Sequence, residues 1–324
     1  MAEFFFIAEL CQNHNGSVDM LMKMADAAAK AGATHVKVQH IFADKLVYRP
    51  QFEEDNKAAR SLFRPWEREF ERLKGLELTT RDYERFVGHV RDQLGLIPVT
   101  TCFTRDTIPR IIDEGFREIK VASYDCASYP LIRELADKFD GLIVSTGATF
   151  EDELMHTISI LKESSKPYSL LHCVTQYPTP MSNSNLSRIK RLQELCSRVG
   201  YSDHSNPSND GTYASKAAIY LGAKIIERHF SILSAEETKD GPVSVGLEET
   251  ADIINFAKKS TDEQIDELLT GCPEWEQMIG SSERLLSPDE LINRSYYRGR
   301  FASLRKGYTN HYSEVINNWE ETPL

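Results

Sequence analysis

The fold is decided by residues 142–172, LIVSTGATFEDELMHTISILKESSKPYSLLH. An apolar run from Leu142 to Ser145 comes first, an amphipathic segment from Glu151 to Glu163 follows, and a second apolar run extends from Tyr168 to His172. Short apolar runs are typical of buried strands, and longer segments with apolar residues at helical spacing are typical of helices. The order of strand, helix and strand therefore predicts a βαβ unit with parallel strands.

The same order recurs on both sides of this stretch. The predicted strands are Phe4 to Glu9, Thr34 to Gln39, Ile97 to Cys102, Glu118 to Ala122, Leu142 to Ser145, Tyr168 to His172, Val199 to Ser202 and Lys224 to His229. The predicted helices are Leu21 to Ala31, Thr80 to Leu94, Asp106 to Glu114, Pro130 to Lys138, Glu151 to Glu163, Ser187 to Cys196, Gly211 to Leu221 and Glu248 to Leu269. Eight such units predict an α/β fold closed into a (β/α)8 TIM barrel. A doubly wound open sheet is the alternative, but no GxGxxG motif follows the first strand.

The pattern changes after residue 270. Residues 1–270 are predicted to form the barrel, in which the charged stretch from Asp44 to Glu77 is expected to be irregular. Residues 271–324 are turn-rich and polar, and are expected to form a C-terminal extension rather than another βα unit. The chain has 324 residues, which is long enough for a barrel of about 250 residues and an appendage.

Charge and composition exclude several classes of protein. The formal net charge of -11 argues against general affinity for nucleic acid or anionic membranes. The apolar run from Met1 to Leu10 has no cationic flank and is too short to cross a bilayer, so a cytoplasmic location without a membrane anchor is expected. The six cysteines have no CxxC spacing and are interpreted as buried or pocket-lining thiols rather than as a disulfide framework.

Polar residues at the carboxyl ends of the predicted strands are the candidates for chemistry, because these ends share one mouth in a barrel. His204 and His229 close adjacent strands, so their imidazoles are expected to converge on one cation. With an oxygen-rich remaining shell, Mn²⁺ or Mg²⁺ fits best and zinc is an alternative. Each histidine taken alone is more often a structural residue than a ligand.

Two lysines interrupt otherwise apolar strands. Lys37 and Lys120 carry a desolvation cost unless each meets an anion or a water-filled pocket. One interpretation is that both bind a small ligand with a phosphate and a carboxylate. The other is an internal ion pair with Glu9 or Glu227, and the residues alone leave both open.

Taken together, these residues resemble the sialic acid synthase (N-acetylneuraminate synthase) family, which includes legionaminic and pseudaminic acid synthases. The ordered matches are Ile7-Ala8-Glu9, Asn13-His14-Asn15-Gly16, Val36-Lys37-Val38-Gln39, Lys120-Val121-Ala122-Ser123, Leu142 to Gly147, Leu171-His172-Cys173, Tyr177-Pro178, Gly200 to His204 and Glu227-Arg228-His229-Phe230. Each match is weak alone, but their order over residues 1–270 is specific.

The resemblance implies a reaction and roles. A metal-dependent enzyme would condense phosphoenolpyruvate with an N-acylated amino-sugar aldehyde to give a sialic-acid-like nonulosonic acid and phosphate. Catalysis would involve Glu9, Lys37, Lys120 and Glu227; the substrates would be bound by Gln39, Ser123, Asp125, Ser145, Tyr177 and Asp203; and the metal would be held by His204 and His229. A homodimer is also implied.

Three departures from the family pattern concern sugar recognition. Ser123-Tyr124-Asp125 stands where the family has Ser-Gly-Glu, and Val243 stands where it has an aspartate after Gly-Pro, although Asp240 precedes that Gly-Pro pair. The stretch from Arg294 to Gly307 resembles the lead-in to an antifreeze-like domain for which the extension is too short. Another phosphoenolpyruvate-dependent 3-deoxy-ulosonic acid synthase, or a catalytically reduced ligand-binding barrel, remains as an alternative.

Overall fold

Eight parallel strands form a closed barrel in chain order in the computed structural model, which describes residues 4–55, 62–283, 285–304, 317–318 and 320. The first strand pairs with the last, Glu9 opposite His229, which closes the sheet. The strands are β1 Phe5–Cys11, β2 His35–Gln39, β3 Ile97–Thr101, β4 Glu118–Val121, β5 Gly141–Ser145, β6 Tyr168–Cys173, β7 Val199–Asp203 and β8 Ile225–His229. The predicted TIM barrel is confirmed.

Helices surround the barrel. They are α1 Val18–Ala31, α2 Trp66–Lys74, α3 Thr80–Gly88, α4 Ile108–Asp113, α5 Tyr129–Lys138, α6 Glu151–Ser164, α7 Arg188–Gln193, α8 Pro207–Asp210, α9 Tyr213–Tyr220, α10 Leu247–Ala257, α11 Thr261–Gly271 and α12 Pro288–Tyr297. Among the residues that the structure describes, no helix is long and apolar enough to cross a bilayer.

Two helix predictions were wrong. The single helix expected over Glu248 to Leu269 is divided into α10 and α11, because the Ser260 side chain caps α11 in a reciprocal capping box with Glu263. The stretch from Asp44 to Glu77 is not wholly irregular, since it contains α2. Its signal was the helical spacing of apolar residues, which a high density of charge obscured.

Alternation along the strands separates two environments inside the barrel. Ile7, Val99, Ile143, Leu171 and Ile225 form a compact apolar cluster within it. Since successive side chains of a strand point to opposite faces, the residues two positions further along the same strands also point inward, toward the carboxyl ends. Examples are Glu9 on β1 and Glu227 on β8, so the apolar cluster lies beneath a polar layer.

The chain after α11 packs across the carboxyl ends of the strands. The ring of Tyr297 stacks on Tyr124, with 4.9 Å between ring centroids, and Arg294 and Arg298 both pair with Glu153 at the start of α6. Two short strands, β9 Ser303–Leu304 and β10 Asn317–Asn318, pair in antiparallel orientation. The last three residues of the predicted stretch from Arg294 to Gly307 lie outside the described residues. The division into domains at residue 270 stays a prediction.

Candidate active site

A cavity of about 370 Å³ opens at the carboxyl ends of the barrel strands, where TIM-barrel enzymes carry their active sites. The predicted site residues that line it are Glu9, Lys37, Gln39, Lys120, Ser123, Asp125, Ser145, Tyr177, His204, Glu227 and His229. Strand register brings them together, because Glu9 lies opposite both Lys37 and His229 in neighbouring strands. One barrel layer therefore collects residues that are far apart in sequence.

Asp203 is the exception among the predicted site residues, because the structure does not bring it to this cavity. Its neighbour Ser202 faces the cavity, so alternation turns Asp203 outward. There its buried carboxylate lies 2.6 Å from Arg228, accepts a hydrogen bond from Ser215 and also accepts one from the Ser205 backbone N–H. Asp203 thus holds β7 to β8, and its expected role in substrate binding is replaced by a structural one.

Four buried charges occupy the floor of the cavity. Lys37 contacts Glu9 and lies 3.8 Å from Glu227, while Lys120 lies 3.5 Å from the other oxygen of Glu227. Thr101 accepts a hydrogen bond of 3.1 Å from Lys37. Both lysines form internal ion pairs, as one interpretation of the sequence expected. Both also line the cavity, so ligand binding, the other interpretation, stays open for the same residues.

Lys37 and Glu227 both have pKa values shifted from their ordinary range. Burial lowers the pKa of Lys37 to about 7, while Glu227 opposes this shift and Lys120 adds to it. Burial raises the pKa of Glu227, but the ammonium groups of Lys120 and Lys37 outweigh it and lower that pKa to about 2. Glu227 is therefore a carboxylate at neutral pH, able to stabilise a cation or accept a proton from water.

A hydroxyl-lined wall adjoins Lys120. The ammonium group donates a 2.6 Å hydrogen bond to Ser145, and Ser123 lies on the same side of the cavity. The start of α6 does not contribute a phosphate site there, because its first turn carries three acidic residues, Glu151, Asp152 and Glu153. Anion binding on this wall thus depends on side chains rather than on a helix start.

The two predicted metal-binding histidines lie next to each other in the cavity, with 5.3 Å between their ring centroids. Nδ1 of His204 lies 3.2 Å from the carbonyl oxygen of Val174, an arrangement that assigns the proton to Nδ1 and leaves Nε2 as a ligand atom. Tyr177 packs against His204 with 4.1 Å between ring centroids. Nδ1 of His229 is buried and finds no hydrogen-bond partner among the residues that the structure describes.

Sequence reasoning missed two further groups beside His229. The ligand atoms of Cys11, His229 and Asp240 all lie within 4.8 Å of one another. Cys11 Sγ lies 3.0 Å from Asp240 Oδ2, and the thiol donates this hydrogen bond. Imidazole, thiol and carboxylate groups are all ligands of divalent metals, so the chemistry of these residues fits a divalent cation. The available signal was the position of Cys11 at the end of the first strand.

The C-terminal extension supplies the outer wall of the cavity, which sequence reasoning also missed. Tyr297, Arg300 and Phe301 line it, and the Arg300 guanidinium is paired with buried Glu69. Their contribution could not be predicted because their spacing matches no βα unit.

Asp125, which also lines the cavity, is a buried acid. Burial and the charge of Glu320 raise its pKa well above its usual range, against the opposing charges of Arg298 and Lys120.

The sequence of this chain matches a known protein family and several of its members. Residues 24–266 match the NeuB family. The chain belongs to the NeuB family. Among its relatives, the spore coat polysaccharide biosynthesis protein SpsE of Bacillus subtilis is 30% identical, over 94% of this chain and 81% of the relative. The N,N'-diacetyllegionaminic acid synthase of Legionella pneumophila is 29% identical, over 93% of this chain and 80% of the relative.

Two solved structures have the same fold as this chain. The N-acetylneuraminic acid (sialic acid) synthetase of Leptospira borgpetersenii, solved with citrate, superposes with a TM-score of 0.68 at 25% identity, covering 91% of each chain. The SpsE structure from Bacillus subtilis superposes with a TM-score of 0.69 at 24% identity, covering 94% of this chain and 79% of that one. This NeuB-family protein therefore shares its fold with these solved structures.

Proposed function

We propose that this NeuB-family protein condenses phosphoenolpyruvate with the open-chain aldehyde of an N-acylated amino sugar in the presence of a divalent cation. The products are phosphate and a sialic-acid-like 2-keto acid, and one water is consumed. The observation that carries the proposal is the buried arrangement of Lys37 and Lys120 around Glu227, beside a hydroxyl wall and a metal-binding group. The names of the relatives, which include sialic, legionaminic and pseudaminic acid synthases, support it.

The cationic side of the cavity binds phosphoenolpyruvate. Lys120, held by Ser145, and Lys37, held by Thr101, face the phosphate and the carboxylate. Charge-assisted hydrogen bonds from ammonium groups to such oxygens are stronger than neutral ones. Ser123 adds a hydroxyl on this side.

The carboxylates of Glu9 and Glu227 act on C2 of phosphoenolpyruvate and on the water that adds to it. C3 of phosphoenolpyruvate attacks the aldehyde carbon while the aldehyde oxygen takes up a proton, and C2 gains positive character. Water then adds to C2 and loses a proton, and phosphate leaves as the C2–O bond breaks. Glu227, ionised between two ammonium groups, stabilises the positive carbon, and Glu9 or Glu227 accepts the proton that water loses. A bound divalent cation would supply Lewis-acid polarisation of the aldehyde oxygen. His204 and His229 are the proposed ligands.

The acceptor sugar occupies the outer half of the cavity. Gln39, Tyr177 and Asp125 line this region together with Tyr297 and Arg300. The rings of Tyr124 and Tyr297 stack on each other, and the resemblance to the family implies a glycine at the position of Tyr124. Because these two rings are bulkier than a glycine, the stack favours, as a second candidate, a shorter aldose as acceptor.

The decisive experiment measures phosphate release from phosphoenolpyruvate with a divalent cation over a panel of N-acylated hexosamines and shorter aldoses. Aldehyde-dependent release that a chelator abolishes is expected, and the preferred aldehyde identifies the acceptor class. Binding of phosphoenolpyruvate without release for any aldehyde would contradict the proposal and favour a ligand-binding barrel.

A further inference from the structure

Cys11 occupies an unusual place in the barrel. It is a non-glycine residue with φ of 48°, in the left-handed region that side chains avoid. The pairing of β1 with β2 shifts register between Glu9 and Cys11, which is the geometry of a bulge. Bulges next to active sites re-aim a side chain, and strained residues persist where the surroundings over-determine them. Glu9 stabilises the bulge, because its carboxylate accepts a hydrogen bond of 2.7 Å from the Cys11 backbone N–H.

The bulge directs the thiol into a group of metal-binding atoms. Cys11 Sγ, a ring nitrogen of His229 and a carboxylate oxygen of Asp240 lie within 4.8 Å of one another, a separation that one cation can bridge. The buried Nδ1 of His229 has no partner among the described residues, so the imidazole of this group carries an unused ligand atom. His204 lies beside it with Nε2 available.

We propose that Cys11 and Asp240 are ligands of the cation, together with His229 and His204, and that the thiolate makes this site select Zn²⁺, Fe²⁺ or Co²⁺ over Mg²⁺. On binding, the Sγ–H bond breaks, the proton leaves to solvent and the Sγ–metal bond forms. This inference rests on the proposed function for its biological context but not for its test.

Selectivity follows from the chemistry of the donors. Thiolate and imidazole suit borderline cations such as zinc, whereas Mg²⁺ prefers oxygen ligands and retains its waters. The sequence-based expectation of Mn²⁺ or Mg²⁺ assumed an oxygen-rich shell, and the thiol alters that assumption. Asp240 also has a definite role here, because it supplies an oxygen ligand from the loop after β8.

The test uses the full chain, freed of metal by a chelator and titrated with Co²⁺. The parent is expected to bind one equivalent and to develop the near-ultraviolet absorption of thiolate-to-cobalt charge transfer. Cys11→Ser and Cys11→Gly should lose this absorption completely. The glycine variant is the stringent one, because glycine adopts positive φ without strain and so should preserve the fold.

Two further variants separate the ligands. Asp240→Asn should keep the charge-transfer band but bind Co²⁺ at least about tenfold more weakly. Cys173→Ser is the matched thiol control, since Cys173 also lines the cavity, and it should keep the band. Excess Mg²⁺ should not displace Co²⁺, whereas Zn²⁺ should.

Several outcomes would overturn the inference. They are a band that survives in both Cys11 variants, a band lost only with Cys173, displacement of Co²⁺ by Mg²⁺, or absence of Co²⁺ binding in a parent that circular dichroism shows to be folded. Phosphate release from phosphoenolpyruvate is measured separately on the same samples. Activity without the band refutes thiolate ligation alone, and the band without activity refutes the proposed reaction alone.

Discussion

Replacement of Lys120 by methionine tests the phosphoenolpyruvate site most directly. Lys120 is 4% exposed, donates a hydrogen bond of 2.6 Å to Ser145 and lies 3.5 Å from Glu227. A hydrogen bond to a charged group contributes about 1.5–3 kcal/mol, which corresponds to a rise of roughly 10- to 150-fold in Kd. Removal of the cation also exposes the ligand to the Glu227 carboxylate, which favours the upper part of that range.

Isothermal titration of phosphoenolpyruvate without acceptor sugar measures this Kd. Lys216→Met is the matched control, because Lys216 is also a buried lysine but pairs with Asp252 and Glu267 outside the cavity. The control should lower thermal stability and leave the Kd for phosphoenolpyruvate unchanged. Equal phosphoenolpyruvate affinity in the Lys120 variant and the parent would refute the assigned role.

Three further outcomes are expected. Burial lowers the pKa of Lys37 to about 7, so kcat/KM for phosphoenolpyruvate should fall above that pH as the ammonium loses its proton. A pH–rate profile in which this fall begins only near pH 10.5 would contradict the prediction. The pKa of Asp125 is raised in the folded state, so its contribution to stability falls as pH rises above about 4, which is near the pKa of an unfolded aspartate. Asp125→Asn should therefore gain thermal stability relative to the parent as pH rises from about 4, and a difference in Tm that does not change with pH would argue against a buried neutral acid. His229→Ala should abolish metal-dependent turnover while far-ultraviolet circular dichroism stays that of the parent, and turnover at the parental rate would remove His229 from the metal site.

Much of the site was predictable because barrel geometry converts strand ends into one shared mouth. Once Glu9, Lys37 and Glu227 are assigned to strands, alternation alone predicts that they meet. Alternation also explains why Asp203 does not bind substrate as the sequence suggested. Asp203 follows the inward-facing Ser202, so its side chain points outward to Arg228. Its place in a conspicuous motif indicated function, whereas its side chain holds two strands together.

The sequence by itself determined the barrel, its strand order and the polar side chains at its carboxyl ends, because periodicity and the order of elements are local properties of the chain. Only the tertiary structure decided that Cys11 approaches Asp240 across 229 positions of sequence, and that the C-terminal extension walls the cavity with Tyr297 and Arg300. The first contact depends on a bulge and on the path of a loop, and the second on how an irregular segment packs. Neither leaves a periodic pattern, since both arise from long-range packing that the local sequence does not encode.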